Sequence, residues 1–393
     1  MSERADWLRF VALISVVAFV AVSASGCKLF RRMAGRDTIV LDEYEVQSMS
    51  VDIRKEMKTI CPLETTQMAV FVSAIHPDEP NAVVNLETWY GSGRHNDTLD
   101  FGNFAFHSPQ GQFDDNGYFQ PTGGVVPTIA QEFELDIVLK KQPDKFSFKT
   151  RYKPDYRCIS GSNHDGAAGM PGNDGMPGNA GMNGSYGGEQ PGGAGTDGGS
   201  GGPGGDGQPG QDGDEVQLWA TMVRTPFYDK LLAVKGLASS GEFLLLAHPE
   251  QSLVFTANGG SGGSGGSGGA GGRGGDGGSG KPGGAAGNGG MGSSGGNGGR
   301  GGNGGSIALV FDSRFPEIEG MIRLGAAPGP GGSGGNGGYG GSAGSAGIDG
   351  AQGVRGQDGN PGQSGPPGNP GRALAQAGEV AGQLAGVPGL ELL

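Results

Sequence analysis

The sequence predicts a mainly β protein. An N-terminal antiparallel β-sandwich of immunoglobulin-like kind, over 38–160, is followed by a small β module that three glycine-rich tracts interrupt. Three observations predict this. Apolar and polar residues alternate between 44 and 150, the period of half-buried strands. Glycine, 87 of 393 residues, recurs at every third position along 161–215, 259–305 and 329–371. Short apolar islands, 216–258 and 306–328, separate the tracts and read as strands.

Residues 1–26 have the pattern of an export signal. Arg4 and Arg9 lie near the start, and Phe10 to Val22 form an apolar run. That run is short for a membrane span, which takes about 20 residues. It ends in Ala24-Ser25-Gly26-Cys27, which resembles the lipobox of bacterial lipoproteins, with Ala24 where leucine is commoner. The resemblance implies cleavage before Cys27, acylation of its thiol, and a membrane partner reached through that lipid. Lys28 after the cysteine implies the outer membrane. The competing reading is an uncleaved anchor helix. Lys28, Arg31, Arg32 and Arg36 favour it, because positive charge after a signal opposes translocation.

With Cys27 spent on lipid, and 27–37 a linker, Cys61 and Cys158 are the remaining cysteines. An exported chain would join them. Closing a loop of about 100 residues is worth about 4–5 kcal/mol in chain-entropy models. Neither cysteine has the CxxC spacing that a zinc or thiol-catalysis reading needs.

Within 38–160 the candidate strands are 44–53, 68–75, Val84 with Leu86 and Tyr90, Phe104 with Phe106, Phe133 to Leu139, and Phe146 with Phe148. Pro77-Asp78, Gly91-Ser92-Gly93, Asp115-Asn116-Gly117, Gly123-Gly124 and Pro143-Asp144 punctuate them as turns. The run from Arg94 to Phe101 gathers Asp97 and Asp100, the candidates for a calcium or sugar loop, since hard cations need several oxygens. A polar strand connection explains the same residues. The five histidines, His76, His95, His107, His164 and His248, show no ligand spacing.

The tracts differ among themselves. The first reads Gly-X-Y and carries Asp174, Glu189, Asp197, Asp206 and Asp212 with no Lys or Arg. A phase slip separates 166–187 from 192–213. The second is Gly-Gly-X, with Pro282 its one proline, and the third passes from Gly-Gly-X to Gly-X-Y. A period of three puts glycine on one edge of an extended left-handed helix, against which something packs too closely for a Cβ. Three arrangements meet that requirement or evade it: a collagen triple helix, a polyglycine II bundle within one chain, or disordered spacers. The expectation is a monomer, with a homotrimer as the collagen alternative. The segment from Leu253 to Phe311 looks like two strands joined by a glycine-rich insert, and the islands are expected to pair into one small sheet. Over 372–393 a short helix is expected, from an apolar stripe of Leu374, Ala377, Ala381 and Leu384.

Several motifs fail their own tests. Gly275 to Lys281 imitates a phosphate-binding loop, but Pro282 stands where Ser or Thr must hold magnesium. Gly192 to Asp197, Gly201 to Asp206 and Gly271 to Asp276 match the start of the calcium nonapeptide GGxGxDxUx, yet Gly199, Gln208 and Gly278 leave its apolar position empty. A net charge of −13 without a basic stripe excludes nucleic acid. No nucleophile with base and oxyanion donors is visible, so neither an enzyme nor a cofactor is expected. The lipobox and tracts together resemble collagen-like, glycine-rich repeat lipoproteins of bacteria. That implies a cell-envelope protein with a structural or adhesive role and an unspecified surface or matrix partner. The alternative is a carbohydrate- or calcium-dependent binding module carried by the sandwich.

Overall fold

The computed structural model describes residues 38–53, 57–88 and 98–393, and the chain divides into two compact units. In the first, which takes the described residues up to Cys158, β1 (Glu45–Asp52), β4 (Ala69–Ile75) and β5 (Val83–Glu87) form one antiparallel sheet in the order β1-β4-β5. A second sheet runs β2-β10-β9-β6, from Thr59–Ile60, Ser147–Pro154, Phe133–Leu139 and Phe104–His107. Short strands β3 (Thr66–Gln67), β7 (Gly111–Phe113) and β8 (Tyr118–Pro121) make a third.

Period two explains the packing. Phe133, Leu135, Ile137 and Leu139 are buried while Glu134 is exposed, so β9 turns one face inward. Those four join Val46 and Val51 of β1 and Val70, Val72 and Ala74 of β4 in a single core, which makes the unit a β-sandwich. Its aromatic lining runs from Phe106 to Phe113, Phe119 and Phe133 at ring separations of 5.0–5.7 Å.

The second unit has a β base. β12 (Glu215–Arg224), β13 (Leu231–Ala238), β14 (Gly241–Ala247), β16 (Ser306–Asp312) and β18 (Arg372–Gly378) run in the order β14-β13-β12-β16-β18, and β19 (Glu391–Leu392) also pairs with β12. A separate parallel sheet has the order β11-β15-β17, from Gly161–Asn163, Leu253–Thr256 and Ile322–Gly325. The islands therefore pair in two sheets, not one. Nor do β15 and β16 pair with each other, although they flank the second tract; each belongs to a different sheet.

The tracts explain why. Each is a hairpin of two extended helices, giving A (166–187), B (192–213), C (259–280), D (283–305), E (329–347) and F (350–371). Helices A, C and E continue β11, β15 and β17, while B, D and F lead into β12, β16 and β18. Parallel strand pairing passes straight into parallel helix pairing: His164 N–H donates to Thr256 O, and two residues on Gly166 N–H donates to Asn258 O. That ladder runs to Gly187 N–H on Ser279 O. C donates to E, B to D, and D to F in the same manner. Between the two layers the neighbours are antiparallel, as in Gly193 N–H to Ser185 O, Gly260 N–H to Gln211 O and Gly302 N–H to Gly260 O.

This is a six-helix polyglycine II bundle closed within one chain. An isolated helix of this type leaves its backbone to water; here neighbouring helices take most of that role. The phase slip at 188–191 is a turn, with Gly188 at φ 63°. Equivalent turns in the other tracts keep the period, so the sequence hides them.

The C-terminal helix expected over 372–393 is mostly a strand. Arg372–Gly378 forms edge strand β18, and only Ala381–Leu384 turns helical. Helix F delivers residue 372 already hydrogen bonded to Gly305 O, so pairing beside β16 follows without a new nucleation step. Gly378 then ends the strand before any helix can start.

Candidate functional site

Cys61 and Cys158 form a disulfide, with Cα atoms 6.2 Å apart. Ile60 O accepts the Asp155 N–H and Thr59 Oγ1 donates to Asp155 Oδ2, which places the end of β10 beside β2 and brings the cysteines together. Glu64 lies close to both sulfurs, but a disulfide offers no thiolate to a metal. Cys27 and Asp97 lie outside the described residues. Among those described, no helix is long and apolar enough to cross a membrane.

Asp100 has a local task. Its Oδ1 accepts the Gly102 N–H at 2.7 Å, capping the single 3₁₀ turn Phe101–Asn103, and its Oδ2 accepts from Thr38 Oγ1. Around it is a cleft of about 560 Å³ that includes Lys140 and Lys141. Lys140 Nζ donates to Gly102 O, and Lys141 Nζ donates to Leu41 O and Asp42 O. The carbonyl oxygens that a calcium ion would recruit already hold ammonium groups. Asp100 is a turn cap in this arrangement.

A larger groove, about 720 Å³, lies on the outer face of β9 and β10 and includes His107, Glu134, Asp136, Lys149 and Arg151. Its charges are matched across the strands: Arg151 with Glu134 at 2.7 Å and Lys149 with Asp136 at 3.3 Å. Such pairs stabilise the sheet by a few tenths to 1 kcal/mol each. In the second unit Ser162 Oγ and His164 Nε2 are 2.8 Å apart. The nearby carboxylate, Asp214, instead accepts from Ser239 Oγ and the backbone N–H groups of Ser239 and Glu215; the Ser239 hydroxyl is the main cause of its lowered pKa. Asp214 therefore does not orient the His164 ring as the third member of a nucleophilic triad would.

The distinctive arrangement is the bundle itself. Inner helices C and D touch four neighbours, and their Gly-Gly-X repeat turns two glycines inward: a Cβ on Gly262 would overlap helix D, and one on Gly263 would overlap helix A. Outer helices A and F touch two neighbours and need one glycine per triplet; a Cβ on Gly169 would overlap helix B. Collagen-like and Gly-Gly-X segments therefore do not differ in kind. The number of glycines per triplet records how many helices surround each segment.

The residue left outside each triplet points to solvent, and its N–H lacks a helix partner. Asx side chains supply one. Asp197 Oδ1 accepts the Asn288 N–H at 2.7 Å, and Asn288 Oδ1 accepts the Val354 N–H at 2.9 Å. Asp206, Asn297 and Gln363 repeat this relay across B, D and F, as do Asp212, Asn303 and Asn369. On the other layer, Asn183 Oδ1 accepts from Asp276, which accepts from Ser345. The Asn303 backbone bond is the main reason Asp212 is more acidic than an ordinary carboxyl.

These relays were missed in the sequence. Their signal was there in the nine-residue spacing of Asp197 and Asp206, matched by Asn288 and Asn297. The aspartates of the partial calcium motif, Asp197, Asp206 and Asp276, are members of these relays. Between the acidic first tract and the second, the described residues form one exposed ion pair, Lys281 with Glu189 at 3.0 Å. Arg273 pairs with Asp276 of its own helix.

No family model, curated protein or solved structure matches the chain.

Proposed function

We propose that the chain is a cell-envelope surface protein with a structural or adhesive role, held in the outer membrane by an acyl chain on Cys27. The sandwich and a stiff glycine bundle form its soluble part. The observation that carries the reading is the closure of the bundle: glycine N–H donors of all six helices reach carbonyls of other helices in the same chain. A triple helix would need those donors for two further chains. At about 3.1 Å per residue, helix A extends roughly 65 Å, a length suited to spacing and contact rather than to enclosing a substrate. The paired charges of the β9–β10 groove and the occupied carbonyls around Asp100 favour this reading over a calcium-dependent binding module, and no catalytic or cofactor role is proposed.

Three experiments test it. Cys27→Ser should abolish fatty-acid labelling and leave the precursor unprocessed; acylation of the variant, or none in the wild type, refutes the anchor. Light scattering should find no threefold species; a trimer with collagen-like melting refutes the single-chain bundle. Calcium should leave the melting temperature unchanged.

A further inference from the structure

Strand β18 is the edge of the larger sheet of the second unit. Arg372 to Ala377 are all exposed, although β16 covers one side of the strand along its whole length. Arg372 N–H donates to Gly305 O and Gly378 O accepts from Ser313, so the even-numbered residues bond inward. The alternation of a strand then turns the N–H and C=O groups of Ala373, Ala375 and Ala377 outward.

Open edges of this kind are usually guarded by proline, lysine or a bulge. Helix F, directly before it, carries Pro361, Pro366, Pro367 and Pro370. The guarding residues stop at Pro370, and β18, Arg-Ala-Leu-Ala-Gln-Ala-Gly, has none.

We infer that β18 is a self-association edge, whose occupant is β18 of a second copy of this chain in antiparallel, twofold-symmetric pairing about Ala375. Only residues that both face outward can share hydrogen bonds across such a pair. Centring on Ala375 sets Ala373 opposite Ala377 of the second copy and Ala375 opposite itself. The strand is also complementary to itself in charge. Arg372 lies at its start and Glu379 just past its end, neither has an ion pair within the chain among the described residues, and antiparallel pairing brings each beside the other. Leu374, 66% exposed, would meet the Gln376 stem and lie diagonal to its own symmetry mate.

The pairing is tested on the full chain carrying Cys27→Ser, so that no other thiol is free. Hydrogen-bonded partners across an antiparallel pair have Cα atoms about 5.5 Å apart, within disulfide reach. Ala375→Cys should therefore give a disulfide-linked dimer on a non-reducing gel. Ala373→Cys should not, because its symmetry mate lies roughly 13 Å along the strand. Monomer from both variants overturns the proposal, and dimer from Ala373→Cys alone overturns the register. Ala375→Pro removes an outward donor and no bond to β16. It should weaken self-association in sedimentation by roughly 25-fold, about fivefold for each of two symmetry-related bonds, with unchanged melting. Undiminished association would refute the edge.

Discussion

Gly201 and Gly202 are neighbours in helix B, and replacing each by alanine should have opposite consequences. A Cβ on Gly201 would stand 2.0 Å from Gly269 O in helix C, whereas one on Gly202 meets nothing closer than Met176 N at 3.3 Å. Ordinary contact needs more than 3 Å, so Gly201→Ala must push helices B and C apart by over 1 Å. Gly266, Gly269 and Gly272 N–H donate to Gly205, Gly202 and Gly199 O across that contact, each at 2.8 Å. Lengthened by that much, these cease to be hydrogen bonds. Losing two to four, at about 0.5–1.5 kcal/mol each, gives roughly 2–4 kcal/mol of destabilisation. Gly202→Ala should instead be neutral, or stabilise by about 0.5 kcal/mol by restricting the unfolded chain. The chain already uses this tolerance: Thr196, Gln208 and Gln211 occupy equivalent positions of helix B. Thermal unfolding of both variants, followed by circular dichroism of the left-handed helices, separates the two outcomes. Equal losses at the two sites would refute the assignment of glycine content to neighbour number.

Three further outcomes follow from the same physics. Reducing the Cys61–Cys158 bond should lower the stability of the sandwich by about 2–5 kcal/mol, measured by denaturant titration; no change would mean that the bond constrains nothing. Asp312, 4% exposed, is held at a pKa of about 2 chiefly by hydrogen bonds from Arg314, with Thr221 Oγ1 as a further donor. A depressed carboxyl contributes stability above its unfolded pKa near 4 and loses it as pH falls towards 2. The contribution is about 2 kcal/mol at neutral pH, and Asp312→Asn should flatten the acid limb of the unfolding curve. Asp206→Ala leaves the Asn297 N–H to water and should cost less than about 1.5 kcal/mol, read from the melting temperature; a loss as large as that of Gly201→Ala would show that the relays, not the glycines, hold the layers.

Much of the fold was legible because burial imposes periods. Phe133 to Leu139 announce a strand by alternation, and the structure places β9 at Phe133–Leu139. The tracts announce close approach by their glycines. What stayed hidden depends on contacts far apart in sequence. Turns at 281–282 and 348–349 preserve the period of three, so nothing local marks the reversal. Strand β18 has an apolar stripe compatible with a helix, and only its backbone bond from helix F decides the matter. Of the candidate site, the disulfide was readable from cysteine arithmetic. Asp100 drew attention as an oxygen donor, but its partners, Gly102 N–H and Thr38, could not be foreseen from composition.

The exceptions to the glycine rule test it more sharply than its regular members. Ala286, Ser293, Ala343 and Ala346 occupy positions where D and E otherwise hold inward glycines, and Asp349 adopts φ 61° in the turn that follows helix E. Near that turn the ladder from F to E is incomplete. It has one rung at the turn, Gly350 N–H on Gly347 O, and resumes at Gly356 N–H on Gly341 O, while Gly353 donates to no carbonyl of helix E. Ala343 Cβ lies 3.1 Å from where a Gly353 side chain would start, so the methyl group fills the space between helices that have moved apart. At this turn a side chain enters the interior where the helices have separated, whereas Ser293 takes an inward position of helix D with the bonds around it intact, Gly201 N–H to Met291 O and Gly204 N–H to Ser294 O among them. Between E and F the causal order is packing first and composition second: close backbones dictate glycine along the ladder, and Ala343 stands where its Gly353 rung is missing.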